Sequence, residues 1–411
     1  MIFISAVGMI NALGRDNDEI AANLARGIAP GMRPREGWLQ GHPQAIFAGV
    51  DAELPAIHDT FRDHRSRNNQ LLLAALAQIQ PQVDRAIARY GRARVAVVLG
   101  TSTSGLDEGD VHVNLTLNGK ASEAWRYPQQ ELGDPSRFLS RWLALDGPAY
   151  TLSTACSSSA RAIISGRRLI EAGLADVAIV GGADTLSRMP INGFHSLESL
   201  STTQCQPFSR DRSGITIGEG AALMLLTREP QPIALLGIGE SSDAWHISAP
   251  HPQGEGAMRA IQQALDDAGI TPEQVGYINL HGTATRLNDQ IEARVLNAIC
   301  CYRHRISVSL RRMTRYRRAG SLNIRSRCRG QLSCRTLLPL AAITPASCSG
   351  ECHEPLFITR QLPAARRADA AAGRGRGGDC RHRHLPRRGL TRQRSGAISR
   401  YQRRSSRLVR P

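Results

Sequence analysis

The first 300 residues predict an α/β protein in which helices are layered on a largely parallel sheet. Two observations carry this. Apolar runs of strand length alternate with longer runs of helical period. Two of the strand-like runs also end in a Gly/Thr-rich turn, Val97-Val98-Leu99-Gly100-Thr101 and Ile278-Asn279-Leu280-His281-Gly282-Thr283, as a duplicated α/β unit would. Strands are expected over 2–7, 94–99, 150–154, 177–180, 221–226, 233–238 and 275–280. Helices are expected over 69–79, 157–172, 256–268 and 287–299. The second of these places Ala160, Ile163, Ile164 and Ile170 on one stripe and is closed by Gly173. The last carries Ile291, Val295 and Ile299 on one stripe, and Asn288 or Asp289 is a candidate cap for it.

A chain of 411 residues is long enough for two to three domain-sized units. It holds no run of 18 uninterrupted apolar residues, so a spanning helix is not expected. The apolar start, Met1-Ile-Phe-Ile-Ser-Ala-Val-Gly-Met-Ile10, has no basic region before it and reads as a buried first strand rather than a secretory signal. The cytoplasm is the expected compartment, and no membrane partner is expected. The formal charge of +17 is concentrated at one end: residues 301–411 hold 27 Arg against four acidic residues, and the rest of the chain is mildly acidic. Cysteine divides the same way, with only Cys156 and Cys205 before position 300. Lys120 is the one lysine in the chain.

The basic stretch 300–411 has no sustained helical or strand period, and three readings compete for it. Gly373-Arg-Gly-Arg-Gly-Gly378 fits an Arg/Gly tract that neutralises nucleic-acid phosphates. Cys348, Cys352, Cys380, His382 and His384 offer metal-ligand types, but no Cys-x-x-Cys pair organises them. The third reading is an out-of-frame translation of a GC-rich gene, which yields Arg, Ala, Gly and Pro with scattered Cys and no Lys. The composition favours the third, so neither a metal nor a nucleic-acid partner is expected.

Within the body, Thr154-Ala155-Cys156-Ser157-Ser158 stands where an extended run turns into a helix. Backbone N–H groups at a helix start lack intrahelical partners, and the N-terminus favours negative charge. Both effects favour the thiolate, the nucleophilic form of cysteine. Small neighbours would let a carbonyl approach the sulfur. The competing reading is a buried cysteine acting as a small hydrophobe. His281 stands at the C-terminal end of a strand, where α/β folds place ligand-handling residues, with the hydroxyls of Thr283 and Thr285 beside it. A hydrogen-bonded structural histidine is the alternative there.

Taken together, these segments resemble the β-ketoacyl-acyl-carrier-protein synthases, the thiolase-fold condensing enzymes. The resemblance runs from residue 1 to about 299. It rests on Ile4-Ser-Ala-Val-Gly-Met with Asn11-Ala-Leu-Gly14, Gly100-Thr-Ser-Thr-Ser-Gly105, the Cys156 elbow, Val180-Gly-Gly-Ala-Asp184, Pro207-Phe208-Ser-Arg-Asp-Arg212-Ser-Gly214, Gly218-Glu219-Gly220-Ala221 and His281-Gly-Thr-Ala-Thr285. It implies a thiolase-like layered α/β/α fold with duplicated halves. The first half would span 1–230 and the start of the second 231–299, with 300–411 as the aberrant tail. It implies that Cys156 takes an acyl chain from a carrier-protein thioester. Malonyl carrier protein would then lose CO₂, and the enolate oxygen would be held by two histidines in the manner of an oxyanion hole. His281 matches the first histidine. Thr283 and Thr285 match residues that bind the phosphopantetheine arm, and Glu292 matches an acidic position supporting a catalytic lysine. No resident cofactor is implied, because the phosphopantetheine belongs to the acyl carrier protein. The implied partners are that carrier and a second synthase chain, in a homodimer or with a related synthase.

The chain also departs from the family pattern. Arg311 stands where the lysine is expected and Tyr316 where the second histidine is expected. The family's Gly-Phe-Gly-Gly loop is absent. Arg286 replaces a usual proline, Ala284 a Gly or Ser, and Ser209 an acidic residue. These departures imply an incomplete C-terminal half and impaired condensation, since removing one oxyanion donor typically costs about 10²–10³ in rate.

Overall fold

The computed structural model describes residues 1–120, 125–246, 249–300, 307–308 and 356–361. The readings that fall on the rest of the tail, Arg311 and Tyr316 among them, lie outside the described residues. The chain opens with strand β1 (Ile2–Asn11) and helix α1 (Asn17–Arg26). Asp16 caps α1 by accepting the Glu19 amide, and Gly27 closes it at φ 69°, a left-handed position that favours glycine. A small antiparallel ribbon of β2 (Met32–Pro34) and β3 (Ile46–Ala48) follows. Next comes α2 (Arg67–Tyr90), which contains Pro81 and so runs well past the expected 69–79. Proline removes one helical hydrogen bond. The buried Val83 and Ala86 continue the apolar stripe of Ile79 beyond it and hold the helix on the sheet.

The central stretch alternates as expected: β4 (Val95–Gly100), α3 (Leu106–Leu117), α4 (Asp134–Trp142), β5 (Ala149–Leu152), α5 (Ser158–Glu171), β6 (Val177–Asp184) and α6 (Arg188–Ser196). Gly173, just past α5, has φ 73°, consistent with its reading as the stop signal. Strands β7 (Gly220–Thr227) and β8 (Ile233–Gly239) follow, then α7 (Glu255–Ala268), β9 (Tyr277–Ile278), α8 (Arg286–Cys300), β10 (Ser307–Val308) and β11 (Leu356–Gln361). The strand expected over 275–280 is only two residues long and pairs in parallel with β10.

The main sheet has seven strands in the order β11-β8-β1-β7-β6-β4-β5. It is mixed rather than largely parallel. Only β6/β4 and β4/β5 are parallel; β11/β8, β8/β1, β1/β7 and β7/β6 are antiparallel. The expectation failed because an uninterrupted apolar run reports burial on both faces, not direction. Every residue of β7 is buried although both its neighbours run against it.

Alternate residues of the same strands feed two cores, as the period-2 geometry of a strand requires. Val95, Val97, Leu99, Ile179 and Leu223 pack with Leu72, Leu76, Ile79 and Val83 of α2 and with Phe138 and Leu139 of α4. Ala96, Val98, Ala178, Val180 and Leu226 face the other way onto Ala162, Ile163 and Ile170 of α5. The result is the expected helix–sheet–helix layering.

At the end of β6 the buried Asp184 gathers the loop after β4. Its Oδ1 accepts from the Thr101 and Thr103 hydroxyls and from the Ser102 and Thr103 amides, at 2.7–2.9 Å. Burial nevertheless pushes its carboxyl up to about 6, outweighing these donors. A pKa raised on folding means that the native state holds the proton more tightly. The stability this contributes is full below the unfolded value near 3.8 and fades as pH rises through about 6. Asp184→Asn cannot titrate. Relative to that variant, the unmodified chain should therefore gain about 1 kcal/mol of unfolding free energy between pH 7 and pH 5, read from denaturant melts. A pH-independent difference between the two would show that Asp184 does not titrate in this range.

Candidate active site

Cys156 follows β5 and precedes α5. The elbow between them is tied by its own side chains. Ser157 Oγ donates to the Thr154 carbonyl at 2.7 Å, and Ser158 Oγ donates to the Ala155 carbonyl at 2.6 Å while accepting the Thr154 amide at 2.9 Å. Ala155 has φ 53°, a left-handed conformation that costs a non-glycine residue about 1–2 kcal/mol. The two serine staples hold that strain, and the tight reversal leaves Cys156 half-buried at the mouth of α5. Beneath the elbow there is no room for side chains. A Cβ on Gly100 would fall 2.4 Å from the backbone of Ser158 and Ser159, and one on Gly182 would fall 2.3 Å from Ser159 Oγ. The first turn of α5 therefore rests directly on the ends of β4 and β6. Neither Cys156 nor Cys205 is in a disulfide.

The second candidate element is the turn between β9 and α8. His281, Thr283, Thr285 and Glu292 are all half-buried. The structure brings His281 to Glu292 through its backbone, together with Gly282 and Asn288. Glu292 Oε1 accepts the His281 amide and Oε2 the Gly282 amide, both at 2.8 Å, and Asn288 Nδ2 donates to Oε2 at 3.0 Å. Thr283 and Thr285 Oγ1 lie 2.8 Å apart. Glu292 thus fixes the backbone of the histidine turn itself, and the Arg311 that replaces the expected lysine lies outside the described residues.

Neither Asn288 nor Asp289 caps α8 in the simple sense expected. Asn288 serves Glu292. Asp289, only 2 % exposed, reaches outward to the amides of Phe208 at 2.7 Å and Ala284 at 3.1 Å. Arg212 stands 3.5 Å from the same carboxylate and donates to the Ser209 and Arg286 carbonyls. The motif containing Phe208 and Arg212 is thereby joined to the histidine turn. Sequence reasoning missed this role. The one available signal was Ala284 where the family usually has Gly or Ser; the structure shows it left-handed, at φ 61°. Farther off, Glu219 of the Gly-Glu-Gly segment pairs with Arg67 on both carboxylate oxygens and accepts the Val50 amide. Glu219 thereby ties the start of α2 to the chain entering β7.

Among the described residues there is no group of three or more His, Cys, Asp or Glu that could hold a metal ion. No helix among them is long and apolar enough to cross a membrane.

The layered α/β frame thus carries a strained cysteine elbow over a glycine floor and a histidine turn gripped by a glutamate. Residues 2–231 match the β-ketoacyl synthase N-terminal domain and residues 234–313 its C-terminal domain, and the chain belongs to the β-ketoacyl synthase family of condensing acyltransferases. It is 37 % identical over 315 residues to 3-oxoacyl-[acyl-carrier-protein] synthase 2 of Staphylococcus aureus (strain COL), covering 72 % of this chain and 76 % of that one. Nodulation protein E of Rhizobium meliloti is 29 % identical over 317 residues, with 72 % and 77 % covered. Among solved structures, the ketosynthase ApeO in complex with its chain length factor ApeC from Xenorhabdus doucetiae superposes with a TM-score of 0.72 at 68 % identity, covering 72 % of this chain and 75 % of the other. The ishigamide ketosynthase/chain length factor gives 0.68 at 26 % identity, covering 75 % and 80 %. The thiolase-like fold and the condensing-synthase class follow from these likenesses.

Proposed function

We propose that this chain performs the acyl-loading half of a decarboxylative condensation, with Cys156 as the nucleophile. Cys156 Sγ attacks the carbonyl of an acyl thioester. The carbonyl oxygen carries the developing charge at the mouth of α5, the tetrahedral species collapses, and the carrier's pantetheine thiol leaves with the proton while the acyl group stays on sulfur. The observation that supports this most directly is the elbow: a left-handed Ala155, stapled by Ser157 and Ser158, presents the sulfur at a helix N-terminus. Thr283 and Thr285 offer hydroxyls to the phosphopantetheine arm. His281, its backbone clamped by Glu292, is the donor to the thioester oxygen of an incoming malonyl unit.

The condensation half is the weaker one in this reading. A second histidine donor is expected at Tyr316 and a lysine at Arg311, and neither is present. Decarboxylation of a malonyl thioester by the acylated chain is therefore expected to run about 10²–10³ below that of a synthase with both donors. CO₂ release, assayed beside the 68 %-identical ketosynthase complex, checks this. Equal rates would show that the two-donor requirement does not apply here. The partner is proposed to be an acyl carrier protein together with a related synthase chain. Support for the pairing comes from the ketosynthase–chain length factor complexes that the chain resembles. Its retained Cys156 fits the catalytic member of such a pair. Incubation with an acyl-pantetheine thioester followed by mass measurement of the Cys156 peptide tests the loading step.

A further inference from the structure

We infer that Asp289 is a positioning residue that fixes the His281 turn by holding two left-handed backbone residues at once. Phe208 and Ala284 are 76 positions apart, yet both are non-glycine residues at nearly the same positive φ, 60° and 61°. Each conformation is disfavoured for an L side chain. Both residues donate their backbone N–H to one carboxylate, Phe208 to Oδ2 and Ala284 to Oδ1. Asp289 is 2 % exposed, so each bond is made away from water and is charge-assisted. Arg212 Nε at 3.5 Å balances the charge. The consequence reaches the reactive turn. The Phe208 ring and Pro207 close on Gly282, where an added Cβ would meet Pro207 at 3.3 Å and Phe208 at 3.5 Å. Ala284 lies between Thr283 and Thr285, and its carbonyl accepts the Gly214 amide at 3.1 Å. One carboxylate thus locks the Phe208 segment onto His281-Gly282 and sets the backbone that aims both threonine hydroxyls.

The inference deepens, and rests on, the reading of this turn as the arm-binding side of the site, and two readouts keep the ideas separable. Asparagine at 289 can accept from one amide but must turn an NH₂ toward the other. For acylation of Cys156 by a hexanoyl-pantetheine thioester, Asp289→Asn is expected to raise KM about tenfold and leave kcat within about twofold, because arm positioning and not the sulfur is disturbed. Hydrogen exchange should accelerate in both 205–214 and 281–286 and stay unchanged across 158–171. Adding Ala284→Gly should recover part of the KM loss, since glycine holds a positive φ unaided. Should Asp289→Asn not fold, Asp289→Glu keeps the charge but displaces the carboxylate and is expected to show the same pairing of exchange changes. An unchanged KM, or faster exchange in only one of the two segments, overturns the inference. Absence of acylation in the unmodified chain overturns the reading of the site instead, and the exchange measurement still decides the role of Asp289.

Discussion

Cys156→Ala should eliminate the acyl-enzyme. The drop expected is roughly 10⁴-fold or more, the scale that follows when a covalent nucleophile is removed. Four observations make it a clean test. The substitution removes one sulfur from a half-buried site. The elbow is shaped by the Ser157 and Ser158 hydroxyls on the Thr154 and Ala155 carbonyls, which alanine at 156 leaves intact. The left-handed residue is Ala155, not the cysteine. Cys205, likewise outside any disulfide, serves as an internal control. The mass increment from an acyl-pantetheine thioester should appear on the 156 peptide of the unmodified chain and vanish in the variant. An increment that persists and maps to Cys205 would remove Cys156 from the chemistry.

How far the molecule could be read from its sequence depended on the range of the interaction involved. The elbow was legible because it is local: an extended run, a small-residue reversal and an amphipathic helix closed by Gly173 lie within 25 consecutive positions. The layering was legible too, since the period of β4 and β6 sends alternate side chains to α2 and α5. Strand direction was not, because the antiparallel pairing of β1 with β7 joins residues more than 200 positions apart, and apolar runs carry no sign of direction. The same limit explains β9. Val275 to Leu280 has the composition of a strand, but a strand exists only where a neighbour pairs with it, and among the described residues Tyr277 and Ile278 alone find one. In the site, Cys156 and His281 were found as residue types in suggestive places. Asp289 was not, because its partners come from the Phe208 loop 81 positions away, and a carboxylate in the first turns of a helix most often reads as a cap.

The second large effect is expected at a residue with no side chain. Gly100 is the last residue of β4 and pairs with Leu152 on β5 and Gly182 on β6. A methyl group there would lie 2.4 Å from Ser158 C and Ser159 N and 2.7 Å from the Ser158 carbonyl oxygen. All three are backbone atoms of the first turn of α5, so no rotamer change relieves the overlap. Either the helix start lifts from the sheet or the strand end moves. Overpacking of this kind costs about 1–3 kcal/mol. Because the lifted turn carries the amides beside Cys156, acylation should slow even under conditions where the protein remains folded. Gly193 supplies the contrast. It lies inside α6 with nothing within 4 Å of an added Cβ, and alanine there should stabilise by about 0.5–1 kcal/mol through the unfolded chain. Denaturant melts and acylation rates for the two variants should therefore move in opposite directions for stability, and only Gly100→Ala should lose rate. If Gly100→Ala melted and acylated like the unmodified chain, the direct seating of α5 on β4 would not be what places the sulfur, and the serine staples alone would have to account for the elbow.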